Sequence, residues 1–177
     1  MMNNLFIFIE GKHDKIFVDY VLSDYLREKS VSVHPIPYAK KSQSVINRDI
    51  KSKSDTYLFL SDLDSNQTPC ITSKKEVRTN KFTNLDLDKI IIVKEEIESW
   101  FLAGIDSKIN QFKNFMVPDN MDSITKENFD DMLKENSIEN KNSFLIEVGK
   151  NFNIKLATQR NTSFKYFLNK INEIYLN

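Results

Sequence analysis

Cysteine, histidine and glycine are all scarce in this 177-residue chain. Cys70 is the sole cysteine, which excludes an internal disulfide and any multi-cysteine zinc site. Histidine occurs as His13 and His34 alone, and no Gly-x-Ser-x-Gly is present, so nothing supports a serine-hydrolase triad. There is no Gly-x-x-x-x-Gly-Lys-Ser/Thr loop, so the chain brings no ATPase phosphate cradle of its own. With three glycines in all, Gly11 and Gly104 stand out as places where the backbone needs freedom. No apolar run approaches the roughly 20 residues that span a bilayer, so no membrane partner is expected. The opening Met1-Met2-Asn3-Asn4 has no basic region, and the next apolar stretch meets Glu10 after five residues. This predicts no secretory leader and a cytoplasmic location. Net charge is also lacking: 25 Lys and Arg balance 25 Asp and Glu. The chain is therefore not a bulk polycation, and any nucleic acid must be gripped locally or through a partner.

What is present reads as a soluble globular domain with room for a small appendage: 20.8 kDa, 40% apolar and 28% charged. Leu5 to Ile9, Tyr57 to Ser61 and Lys89 to Val93 are short apolar runs rich in β-branched or aromatic residues, the signature of buried strands. Val31 to Ile36 is a further strand, ended by Pro37. Helical spacing covers about 14 to 28, with Ile16, Phe17, Tyr20, Val21 and Leu22 on one face. A basic helix or loop fills Ser42 to Ser52, and a short helix starts near Ser73. Further helices are expected over 95–104, 109–115, from Thr125 as cap, over 142–148 and over 163–176. Strands alternating with helices argue an α/β fold with a mainly parallel sheet flanked by helices, over residues 1–105. Residues 106–177 read as a mostly helical extension packed on that core.

Acidic residues follow the strands. Glu10 ends the first, Asp62 and Asp64 end a central one, and Glu95, Glu96 and Glu98 follow the strongest. Sites in open parallel sheets form beyond the carboxyl ends of strands. Carboxylates gathered there repel one another, and a divalent cation relieves that cost. Hard oxygen ligands favour Mg2+ or Mn2+. In extended backbone Asp62 and Asp64 point to the same side, with Leu63 turned the other way. The competing structural reading is helix capping, by Glu10 or Asp14 at the first helix and by Asp64 at the next.

Ile9-Glu10-Gly11-Lys12-His13-Asp14, with the later Leu60-Ser61-Asp62-Leu63-Asp64, resembles the Toprim superfamily, which includes topoisomerases, bacterial primases, OLD-type nucleases and small ribosomal-RNA maturation nucleases. The resemblance matches Glu10 to the glutamate ending the first strand, Asp62 and Asp64 to the aspartate pair, and Asp14 to a frequent additional acid. Glu98-Ser99-Trp100-Phe101-Leu102 and Arg160-Asn161-Thr162-Ser163-Phe164 look like segments of small Toprim-like proteins found near bacterial defence genes. Position 66 is Asn66 where many topoisomerase-type domains carry a third aspartate. The likeness covers roughly 5 to 104 well and the remainder weakly.

The resemblance implies a Rossmann-like Toprim fold and a Mg2+- or Mn2+-dependent nuclease acting on DNA or RNA, in defence or RNA processing. Its metal ligands would be Glu10, Asp62 and Asp64, assisted by Glu95 or Glu98. Lys74 would stabilise a leaving group, and Lys12, His13, Lys75 and Arg160 would meet substrate phosphates. A partner ATPase would supply what the OLD proteins carry in one chain. The rival reading is a non-catalytic or partner-activated nucleic-acid-binding subunit of a defence complex. Each basic residue also has a plain reading as a solvated helix face. Trp100 reads as core, and Cys70 as an ordinary loop or core cysteine.

Overall fold

The computed structural model describes residues 3–53, 56–63 and 70–175. These form two compact units, residues 1–93 and 94–177. The first unit carries the sheet. Strands β1 (Asn3–Ile9), β2 (Val31–Pro37), β3 (Tyr57–Asp62) and β4 (Ile90–Val93) run parallel in the order β2-β1-β3-β4. The apolar runs expected as strands are these strands. β2 continues through Pro37, which lies opposite Ile9. As an edge strand, β2 tolerates Pro35 and Pro37, which donate no ladder bond.

The connections fix where the helices lie. From β1 the chain passes through α1 (Lys12–Phe17), a π-helical turn (Val18–Leu22) and α2 (Ser23–Arg27) to β2 on one side. It then returns through α3 (Gln43–Ser52) past β1 to β3, and through α4 (Ile71–Lys81) to β4. Right-handed crossovers in opposite directions put α1–α2 on one sheet face and α3–α4 on the other. The core agrees. Phe8, Tyr57, Phe59, Ile90 and Ile92 meet Ile46 and Ile50 of α3, and Phe82 and Leu85 just after α4. Tyr38, one residue past β2, stacks on Phe59 with ring centroids 4.4 Å apart. In the first helical segment the widened turn coincides with a hydrogen bond from Ser23 Oγ to the Val18 carbonyl at 2.9 Å.

The second unit is helical. α5 (Ile97–Ala103) is buried at all seven positions, the polar Glu98 and Ser99 included. α6 (Lys126–Glu135), α7 (Lys141–Lys150) and α8 (Ile154–Arg160) pack against it, and α9 (Thr162–Tyr175) packs on α8. Trp100 stacks on Phe167 at 5.0 Å and meets Phe164 edge-on at 5.5 Å. Thr125 caps α6 by accepting the Asn128 N–H at 3.3 Å. The helix expected over 109–115 is instead a single 3-10 turn at Asn110–Phe112. Its bonds run from residue i to i+3, and at three residues per turn Phe112 and Phe115 reach the interior together. The short helix α8, headed by Asn153 accepting from the Leu156 N–H at 3.1 Å, is an element that apolar periodicity does not announce.

The glycines behave differently from expectation. None has a positive φ; Ser30, Glu95 and Ser137 do. Gly11 has extended backbone (φ −137°) that any residue adopts, and an added Cβ would make an ordinary contact with Asp14. What Gly104 supplies is space, because a Cβ there would overlap the ring of Phe152.

Candidate functional site

In the order β2-β1-β3-β4, the connections leave β1 and β3 towards opposite sides. The crevice beyond their carboxyl ends is therefore the topological switch point, where open α/β sheets bind ligands. Glu10 directly follows β1 and Asp62 ends β3. The sheet thus brings these two sequence-predicted acids to neighbouring strand ends. Strand alternation then separates neighbours in sequence: Ser61 faces the α3–α4 side with Phe59, and Asp62 leaves from the other side of the strand. Asp64 lies outside the described residues.

Glu10 is held by groups on α4 and after β2. Tyr38 Oη donates to Glu10 Oε2 at 3.1 Å and lies 3.1 Å from the Leu60 carbonyl. Arg78 Nη2 donates to the same Oε2 at 3.3 Å, while Arg78 Nε donates to Ser61 Oγ at 2.8 Å. The guanidinium carbon stands 5.7 Å from the Tyr38 ring centroid. Burial pushes the Tyr38 phenol well above its ordinary value. Arg78 opposes that shift, and the negative charge and hydrogen bond of Glu10 add to it. Tyr38 is thus fixed as a neutral donor. The Glu10 side chain stays 42% exposed, whereas the Arg78 side chain is 13% exposed.

The other predicted residues of this unit surround the crevice in different roles. Asp14 is buried, and its Oδ2 accepts the Gly11 N–H at 2.8 Å, which closes the start of α1. Lys12 and His13 sit on the first turn of α1, Lys12 exposed and His13 half-buried. Lys74 is buried, one helical turn before Arg78 on the same face of α4. Lys75 Nζ donates to the Leu87 carbonyl at 3.3 Å. Cys70 is exposed and caps α4 through Ser73. Tyr38 and Arg78 were not among the predicted residues. For Arg78 a signal existed, since Lys74 and Arg78 are four apart in a single helix.

Glu95, Glu98 and Arg160 belong to the second unit. Glu95 occupies the left-handed region (φ 56°) in the turn before α5, which is uncommon for a residue with a side chain. Glu98 is buried and pairs with Lys141 Nζ at 2.9 Å; the same ammonium meets Asp130 at 2.9 Å and lies over the Phe129 ring. Burial works against the Lys141 charge, but the hydrogen bonds and charges of Asp130 and Glu98 raise its pKa overall. Glu96 is pushed up by burial and then by the Glu98 charge. Arg160 Nη1 donates to the carbonyls of Ile105 (2.7 Å) and Ala103 (3.4 Å), closing the carboxyl end of α5. The segments around Trp100 and Ser163 are bonded to each other. Trp100 Nε1 donates to Ser163 Oγ at 2.8 Å, Ser163 Oγ to Asn161 Oδ1 at 2.8 Å, and Asn161 Nδ2 to Ser99 Oγ at 3.2 Å.

Among the described residues, no group of three or more His, Cys, Asp or Glu side chains is arranged to hold a metal ion. The donors at the switch point suit a hard cation in kind. Glu10 and Asp62 offer carboxylate oxygens, and Mg2+ commonly binds through one or two carboxylates while keeping several waters. Among the described residues no helix is long and apolar enough to cross a membrane. No family model matches the sequence, and no curated protein matches it significantly. Among solved structures the chain is similar to the C-terminal region of the Burkholderia pseudomallei OLD protein. The identity is 16% and the TM-score 0.41, over 98% of this chain and 97% of that one.

Proposed function

We propose that the switch-point crevice is the site of a divalent-metal-dependent phosphodiester hydrolase acting on nucleic acid. The observation that carries this reading is the pair of acids at neighbouring strand ends: Glu10 after β1 and Asp62 at the end of β3, beside a fixed guanidinium. Glu10, Asp62 and Asp64 would hold Mg2+ or Mn2+. The bound ion would orient a water and stabilise charge on a phosphoryl group. Tyr38 and Arg78 orient the Glu10 carboxylate, and Lys74 adds positive charge on the same helix face. The sequence resemblance offers Glu95 or Glu98 as a further ligand; the Lys141 ion pair supports a structural role for Glu98.

A second reading, a partner-activated nucleic-acid-binding subunit, has one observation in its favour: Glu10 Oε2 is already engaged by two protein donors. One experiment separates the two. Labelled single- and double-stranded DNA and RNA are incubated with the protein in Mg2+, Mn2+ or EDTA, beside a folded Asp62→Asn, Asp64→Asn double variant. The hydrolase reading expects cation-dependent cutting that this variant loses. Pure, folded protein that cuts nothing in either cation would sink it in favour of the binding subunit.

A further inference from the structure

We propose that Arg78 is the phosphate anchor of the switch-point crevice, a substrate-positioning residue with Ser61 and Tyr38 as its mounts; the inference rests on reading the crevice as a nucleic-acid site. Three contacts fix the plane of the guanidinium: Ser61 Oγ at Nε (2.8 Å), Glu10 Oε2 at Nη2 (3.3 Å) and the Tyr38 ring, its centroid 5.7 Å from the guanidinium carbon. The two hydrogen bonds use two of the five N–H donors of an arginine. A fork with spare, preoriented donors is what bidentate recognition of a phosphate oxyanion requires.

An ion pair serving stability alone explains this placement poorly. The Arg78 side chain is 13% exposed and gives up most of its hydration, whereas the partner Glu10 side chain is 42% exposed and keeps more of its own. A charge desolvated against a wet partner at 3.3 Å recovers little, and apolar packing would serve the fold better. The setting adds positive charge: α4 carries Lys74, Lys75, Arg78 and Lys81 against Glu76. Arg78 also stands where a ligand of this sheet type is expected, at the ends of β1 and β3.

The test is anisotropy of labelled single-stranded DNA and RNA oligonucleotides, titrated in EDTA over a range of salt concentrations so that no cation-dependent turnover intervenes. Arg78→Gln is expected to weaken binding about tenfold and to lower the slope of log K against log salt by about 0.7, the loss of one phosphate contact on a single strand. Arg78→Lys keeps the charge and loses the fork; its slope stays near that of wild type while its affinity falls. Ser61→Ala is expected to do the same more weakly, because it loosens the mount. Thermal unfolding confirms that each variant folds, and Arg78→Lys carries the test if Arg78→Gln does not. An unchanged affinity and slope in the folded variants, or no binding of either oligonucleotide by the wild type, overturns the proposal. Binding through Arg78 without cation-dependent cleavage would leave it standing and remove the hydrolase reading. Cleavage with Arg78-independent binding would do the reverse.

Discussion

Lys141→Met is expected to destabilise the second unit strongly. The Glu98 side chain is 3% exposed and has the Lys141 ammonium at 2.9 Å; Lys141 itself is 21% exposed. Removing one partner of a buried pair costs about 3–5 kcal/mol, because a charge remains out of water without its counter-charge. Partial exposure of Lys141 places this case at the lower end, about 3 kcal/mol. In a chain of this size that is roughly 6–12 °C in Tm. Glu98→Gln added to Lys141→Met removes the residual charge and is expected to return to within about 1 kcal/mol of wild type. Asp130→Asn is the control. Asp130 meets the same ammonium at the same 2.9 Å, yet its side chain is 42% exposed, and its loss is expected to cost about 0.5 kcal/mol.

Trp100 makes the assay specific. It is the sole tryptophan and lies fully buried in the same unit, so its emission in a urea titration reports that unit's unfolding. The expected coupling between the Glu98 and Lys141 changes is about 2 kcal/mol or more. The reasoning is refuted if Lys141→Met costs under about 1 kcal/mol, if the double variant is no better than the single one, or if Asp130→Asn costs as much as Lys141→Met. Any of these would mean that burial of Glu98 does not control the energy of the cluster.

Two further outcomes follow from the second unit. Gly104→Ala forces a Cβ into the Phe152 ring, an overpacking expected to cost about 1–3 kcal/mol; Phe152→Leu in the same chain should recover part of that loss, and an unchanged urea midpoint for Gly104→Ala would contradict the contact. Asp122 accepts from the Thr162 N–H (2.8 Å) and hydroxyl (2.7 Å) and from Lys94 (3.1 Å); burial pushes its pKa up, but these partners outweigh it and hold it below the usual carboxylate value. Its stabilisation is therefore present above the ordinary aspartate value of about 4 and is lost as pH falls through the lower folded value. An acid titration followed by Trp100 emission should show a shallower loss in Asp122→Asn, and identical acid limbs would count against this.

Much of the sheet was legible because β1, β3 and β4 are each a short run of apolar residues bounded by polar ones, a local pattern. So was the placement of Glu10 and Asp62, since each stands at the end of such a run. The partners of these acids were not legible, because they come from distant sequence. Tyr38 and Arg78 reach Glu10 across 28 and 68 residues, and Lys141 reaches Glu98 from two helices further on. Nothing in the neighbourhood of Glu98 announces that it will be buried beside a lysine. Similarly, the periodicity over 109–115 fits a helix, but Phe112 and Phe115 are three apart, which a 3-10 turn buries as well as an α-helix does.

The two glutamate ion pairs show why a balanced charge count says little about where this chain meets a ligand. Glu98 pairs with Lys141 and Glu10 with Arg78, in each case a long cation as counter-charge. Glu98 is 3% exposed, so its lysine is needed to keep a charge inside the fold, and the pair is spent on stability. Glu10 is 42% exposed and would be hydrated without help, so Arg78 is not there to rescue it. In the first pair the carboxylate is the desolvated partner; in the second it is the cation, mounted on Ser61 and Tyr38 at the switch point. A desolvated, oriented cation beside a wet carboxylate is organised for something that arrives from solvent. The same formal pairing thus separates a structural contact from a binding one, by which partner has lost its water.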